Sequence, residues 1–165
     1  MEVHHAKNSA GLLHRCLRHS RLLVGETFEA SELRAAMPKM RYVVLLYPVT
    51  DSDGHAAAPP METQQLSDPS RVGLVVLDGT WRKSRKMLHL NPLLQSLPRL
   101  ALNDAPPSEY AIRRSHQPGQ LSTLEATCAA LGQLEGDARK FQPLQQAFRG
   151  FVSQQADLTH RFSTA

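Results

Sequence analysis

The chain has 165 residues, 41% hydrophobic and 21% charged, which suits one globular domain with a sizeable core and excludes a disordered or fibrous chain. Nineteen Lys and Arg against fifteen Asp and Glu give a formal net charge of +4, and the sequence pI is near 9.4, so the surface admits an anionic partner such as nucleic acid, although many soluble domains carry such charge and bind none. No apolar run approaches the ~20 residues of a membrane span, and Met1-Glu2-Val3-His4-His5 lacks the order of a secretory signal, so a cytoplasmic protein is expected.

The two cysteines, Cys16 and Cys128, form no CxxC and read as free thiols in a reducing compartment. Eight histidines are scattered without HExxH or comparable spacing, so no metal is expected.

In chain order, residues 8–20 read as a helix, with Asn8 or Ser9 as cap and Leu12, Leu13, Cys16 and Leu17 at helical spacing. A short helix over 30–37 has Ser31 as a candidate cap and stops before Pro38. Tyr42-Val43-Val44-Leu45-Leu46-Tyr47 is continuous and β-rich, which predicts a central parallel strand closed by Pro48. Residues 51–70, rich in Asp, Ser, Ala and Pro, read as an exposed loop that interrupts one domain. Val72-Gly73-Leu74-Val75-Val76-Leu77 is a second buried strand, followed by a helix from about Thr80 to Leu90 that Asn91-Pro92 ends. Leu100-Ala101-Leu102 is a weaker strand, and residues 103–120 are loop-rich. Helices follow over 122–134, where Ser122 and Glu125 have capping-box spacing, and over about 142–157. Strands alternating with helices predict an α/β fold with a mostly parallel sheet and flanking helices.

Ligands of such sheets bind beyond the carboxyl ends of the strands. Three loops qualify: the one after Tyr47-Pro48, the run Leu77-Asp78-Gly79-Thr80-Trp81, and Gly119 to Thr123. Asp78 and Thr80 each fit a helix cap as well as a chemical role. Gly79 permits a tight turn and close ligand approach. Trp81, the single tryptophan, fits either the core or a wall that stacks on a base or adenine ring. Arg82, Lys83, Arg85 and Lys86 form either a solvated face or a phosphate-contacting one, and Arg113 and Arg114 are similar candidates on a loop. The helix start at Ser122, Thr123 and Glu125 is a cap whose backbone N–H groups could also receive a carboxylate. There is no Ser-His-Asp order, P-loop or GxGxxG.

Taken together, these runs resemble the DTW-domain family. The resemblance rests on Leu77-Asp78-Gly79-Thr80-Trp81, Arg85-Lys86-Met87, Asn91-Pro92 and Leu97-Pro98; on Tyr110 with Arg113; on Gly119 through Ala126; and on Lys7-Asn8-Ser9-Ala10-Gly11-Leu12-Leu13, where Ser9-Ala10 stands for the family's Thr-Gly. The blocks run in family order along nearly the whole chain, though the 165 residues hold no counterpart of the Cys-rich, zinc-ribbon-like segment of many relatives. The resemblance implies a single SPOUT-like domain with a C-terminal trefoil knot that cradles S-adenosylmethionine. It implies transfer of the 3-amino-3-carboxypropyl (acp) group to N3 of a tRNA variable-loop uridine, releasing methylthioadenosine.

On that resemblance Asp78 is the expected general base, Thr80 orients it or the acceptor base, and Trp81 packs the loop or stacks on a ring. Tyr47, Pro48, Leu77, Asp78, Gly79, Arg113, Leu121, Ser122, Thr123 and Glu125 are expected around the donor. Asn8, Arg82, Lys83, Arg85, Lys86 and Arg114 are expected on tRNA. A monomer or weak homodimer is expected. The rival readings are a methyltransferase of the same knotted class and a non-catalytic RNA-binding module.

Overall fold

Two runs that read as buried strands lie side by side. The computed structural model describes residues 9–39, 41–49, 58–103 and 121–163, with backbone alone at 152 and 155–163. Asn8, Tyr110, Arg113, Arg114, Gly119 and most of the loop expected at 103–120 lie outside the described residues, as do positions 51–57 of the loop expected at 51–70. In chain order the helices and strands are α1 (Ser9–Cys16), α2 (Ala30–Ala36), β1 (Tyr42–Leu46), β2 (Val72–Val75), α3 (Trp81–Leu90), α4 (Pro92–Gln95), β3 (Arg99–Leu100), α5 (Thr123–Glu135) and α6 (Gln142–Ser163). They group into two compact units, Arg21–Asn103 and Met1–Ser20 with Asp104–Ala165.

The Arg21–Asn103 unit holds a parallel sheet of order β2-β1-β3. Tyr42 pairs with Val72 and Leu45 with Val75 on one side of β1, and Leu45 pairs with Arg99 and Leu46 with Leu100 on the other. Val44 and Leu45 are both fully buried although they point to opposite faces, the property that the continuous apolar run predicts for a central parallel strand. Gly73 is required by a close approach, because a Cβ there would stand 2.9 Å from Cγ of Pro38. Leu33, Leu45, Tyr47, Leu88, Leu94 and Leu97 form the core of this unit, so residues from α2, α3 and α4 pack with those of the sheet.

Several boundaries differ from expectation. Ser31 does not cap α2; Glu29 holds the cap position, without a side-chain bond, and Ser31 lies inside the helix. Part of the loop expected at 51–70 is folded: Thr63–Ser67 and Pro69–Arg71 form 3-10 turns. Asp68 accepts from the Ser70 amide at 3.0 Å, and the Glu62 amide donates to the Tyr42 hydroxyl at 2.8 Å, which holds this segment to the start of β1. Asn91-Pro92 ends one helix and also starts the next, since Pro at the first helical position sacrifices no bond.

Asn91 is the polar hub of the unit and is 1% exposed. Its Nδ2 donates to the Met87 carbonyl at 2.6 Å and the Glu26 carbonyl at 2.9 Å, and its Oδ1 accepts from the Phe28 amide at 3.0 Å. One buried amide therefore joins the end of α3 to the segment before α2 with its polar atoms satisfied.

In the other unit, Leu13, Leu124, Cys128, Phe141 and Phe148 form the core, with α1 and the 3-10 turn Ala138–Phe141 against α5. The helix expected over 8–20 stops at Cys16, because His19 takes a left-handed φ of 63° and the Ser20 hydroxyl reaches the Leu17 carbonyl at 2.7 Å. The capping box at Ser122 and Glu125 forms as expected, and α5 ends at Gly136 with φ +66°, a left-handed cap that suits glycine. Helix α6 runs to Ser163 rather than ending near 157.

Candidate active site and nucleic-acid face

Within the Arg21–Asn103 unit, two of the three expected loops leave the same edge of the sheet. Leu45 and Val75 are the last register partners of β1 and β2, and Tyr47 and Leu77 each stand two residues further on. Tyr47 is 5% exposed and Leu77 is half-buried against the core, so the floor of this edge is apolar. Pro48 is half-buried beside Tyr47.

The turn from β2 into α3 separates the two readings of Asp78. Thr80 is the cap: its Oγ1 accepts from the Lys83 amide at 3.3 Å, and its carbonyl accepts from the Ser84 amide at 2.8 Å. Asp78 is exposed and lies two residues before that cap. Among the described residues its carboxylate takes part in no hydrogen bond or ion pair. Gly79 does not take the left-handed backbone that a tight turn would need; its contribution is space, because a Cβ there would stand 3.1 Å from Cβ of Lys83.

Trp81 opens α3 and is 47% exposed, so it is not a core residue. Its ring meets the Tyr47 ring edge-on, with centroids 5.6 Å apart and planes at 77°. The Tyr47 ring also carries a residue that sequence reasoning passed over. Cζ of Arg99 lies 5.3 Å from the Tyr47 centroid, and Arg99 is 7% exposed. The available signal was a charged residue directly after Pro98 at the mouth of a short apolar strand.

The basic run of α3 divides. Ser84, Met87 and Leu88 face the core, while Arg82, Arg85 and Lys86 are exposed and Lys83 is half-buried against the Gly79 turn. Nζ of Lys86 is 2.5 Å from Oε2 of Glu26, so part of its charge is already neutralised by a surface ion pair.

The third loop belongs to the other unit. Ser122 Oγ accepts from the Glu125 amide at 3.2 Å, and Glu125 Oε2 accepts from the Ser122 amide at 2.8 Å. Both side chains are thereby committed to the cap, and Glu125 places a negative charge where a bound carboxylate would sit. Leu121 and Thr123 are half-buried. In the same unit, burial first, then the Glu125 carboxylate and then Cys16 push the Cys128 thiol up to about 11, which suits an inert core thiol. Among the described residues no group of His, Cys, Asp and Glu could hold a metal, and no helix is long and apolar enough to cross a membrane.

A profile of the DTW domain matches residues 1–156. The chain is 32% identical over 114 residues, 69% of its length, to a Drosophila melanogaster protein named tRNA-uridine aminocarboxypropyltransferase 2. It spans 43% of that relative's length. No solved structure matches. The motif blocks around Asp78, Thr80 and Trp81 thus lie inside a match that runs through both units, and the chain belongs to the DTW domain family.

Proposed function

We propose that this chain is a transferase that moves the 3-amino-3-carboxypropyl group of S-adenosylmethionine to N3 of a tRNA variable-loop uridine. Family membership and the name of the Drosophila relative support the reaction class. The observation that carries the reading is the exposed Asp78 carboxylate, which leaves the capping of α3 to Thr80 and stands within three residues of an exposed indole.

Uridine N3 carries a proton at neutral pH and becomes a nucleophile on losing it. Asp78 takes that proton. The donor supplies an electrophilic carbon next to a sulfonium, and methylthioadenosine leaves once N3 has bonded to that carbon. The negative charge of Asp78 also suits a neighbouring sulfonium, which a Lys or Arg there would repel. Thr80 has its oxygen on the Lys83 amide, so it acts by fixing the turn that presents Asp78. Tyr47, Pro48, Leu77 and Trp81 offer an apolar, aromatic surface that fits an adenine ring, and Gly79 lets the turn pack closely against Lys83. The choice of the aminocarboxypropyl carbon over the methyl is a matter of which carbon faces the acceptor in line.

The remaining assignments belong to the same reading. Arg113 receives the donor carboxylate, while Ser122 and Glu125 serve the cap they build, with Leu121 and Thr123 beside it. Asn8, Arg82, Lys83, Arg85, Lys86 and Arg114 contact tRNA phosphates, and Lys86 exchanges Glu26 for phosphate in doing so. We take the two units as parts of one SPOUT-like domain with a C-terminal knot, a reading that the parallel sheet and the profile match across both units support.

Incubation of the protein with donor and unmodified tRNA, followed by mass spectrometry of the nucleosides and by-product, tests the proposal. It predicts acp3U and methylthioadenosine in equal amounts. S-adenosylhomocysteine instead would assign methyl transfer, and neither product would assign a binding module.

A further inference from the structure

Three side chains, one from β3 and one from beyond each of β1 and β2, are joined by two contacts. Arg99 opens β3 and is 7% exposed, Tyr47 follows β1 and is 5% exposed, and Trp81 follows β2 and is 47% exposed. The guanidinium carbon of Arg99 lies 5.3 Å from the Tyr47 centroid, and Tyr47 meets Trp81 at 5.6 Å and 77°. The exposed ring thus rests on a buried ring, which rests on a buried cation. A cation attracts the face of a ring, and the face it holds fixes where the ring's edge points. An edge-on contact transmits that tilt to the indole. A tryptophan on the first residue of a helix, half in solvent, would otherwise exchange rotamers at an entropic cost to any ligand that stacks on it.

We infer that Arg99, acting through Tyr47, is a positioning residue that presents Trp81 as the stacking surface for a heteroaromatic ring. The ring is the adenine of the donor or the base of the acceptor. The inference rests on the proposed reading in which Trp81 stacks, and it adds a buried residue that assigns the orientation of that surface.

Trp81 is the single tryptophan, so intrinsic fluorescence reads this site alone. Wild type, R99K, R99M, Y47F and Y47L would be titrated with S-adenosylmethionine and, separately, with uridine monophosphate, after circular dichroism has verified folding. Wild-type emission should be quenched by one of the two, which identifies the ring. R99M and Y47L should increase acrylamide access to Trp81 and weaken that ligand by about fivefold or more, the scale of a partly disrupted base–aromatic stack. KM for that ligand should rise by a similar factor with a smaller change in kcat. R99K, which keeps the charge, should recover part of the effect, and Y47F, which keeps the ring, should retain the wild-type emission. If R99M does not fold, R99K and Y47L carry the same comparison. Wild-type quenching and affinity in folded R99M and Y47L would overturn the inference. An enzyme that modifies tRNA while neither ligand quenches Trp81 would remove the stacking reading beneath it. Arg99-dependent quenching without acp transfer would uphold the inference and refute the proposed reaction.

Discussion

Thr80 Oγ1 accepts the Lys83 amide at 3.3 Å, and that bond relieves Asp78 of the capping of α3. An aspartate between a strand and a helix ordinarily serves as a cap, yet here the threonine two residues on supplies the oxygen. The two side chains should therefore separate in stability measurements. Thr80→Ala is expected to lower unfolding free energy by about 1 kcal/mol, with Thr80→Ser close to wild type. Asp78→Asn is expected to leave it within about 0.5 kcal/mol. Urea unfolding checks both values.

Asn91 predicts a larger loss. Replacing it with Ala leaves the Phe28 amide and the Glu26 and Met87 carbonyls without their buried partner. Unsatisfied buried groups cost about 1–3 kcal/mol each before relaxation, so a total loss of about 3 kcal/mol is expected. The expected readout is a lower urea midpoint with an unchanged slope.

The basic face of α3 should act unequally on tRNA. Arg82→Glu and Arg85→Glu are expected to weaken binding and to flatten its dependence on salt by about 0.7–0.9 for each phosphate no longer neutralised. Lys86→Glu should have a smaller effect than Arg82→Glu because Lys86 already pairs with Glu26, and Glu26→Gln should strengthen binding by releasing it. Filter binding across a salt series separates these outcomes, and wild-type affinity and slope in all four variants would return the run to a solvated face.

The two thiols should also separate. Cys16 is exposed and Cys128 is buried, with its thiol pushed from an ordinary 9.0 up to about 11 by burial first and then by Glu125 and Cys16. At pH 8, a maleimide should label Cys16 in the native protein and Cys128 only after unfolding. The unfolded chain releases the Cys128 proton near pH 9.0 while the folded chain retains it to about 11, so this thiol's contribution to stability falls as pH rises between those values. Cys128→Ala should reduce that loss in alkaline melts.

The continuous run 42–47 identified β1 as a central strand because burial on both faces leaves no polar alternation to read otherwise. Ser122 and Glu125 identified the start of α5 because a capping box is a local pattern. Long-range partners were not legible in the same way. The Lys86–Glu26 pair and the Asn91–Phe28 bond span about sixty residues, and no local spacing encodes them. Asp78 and Thr80 were equally good caps on paper, and only backbone geometry decides between them. Arg99 was hidden for a related reason: its partner is a ring supplied by another strand.

The central claim is that the Asp78 carboxylate takes the proton from uridine N3. Asp78→Asn keeps the size and polarity of the side chain and removes its basicity. The direct measurement is single-turnover formation of acp3U on unmodified tRNA by wild type and Asp78→Asn, with donor affinity measured beside it. A loss of about a hundredfold or more in rate, with folding intact and donor binding within a few-fold of wild type, is the predicted result. Wild-type turnover in the folded variant would contradict the account and leave Asp78 an ordinary surface carboxylate.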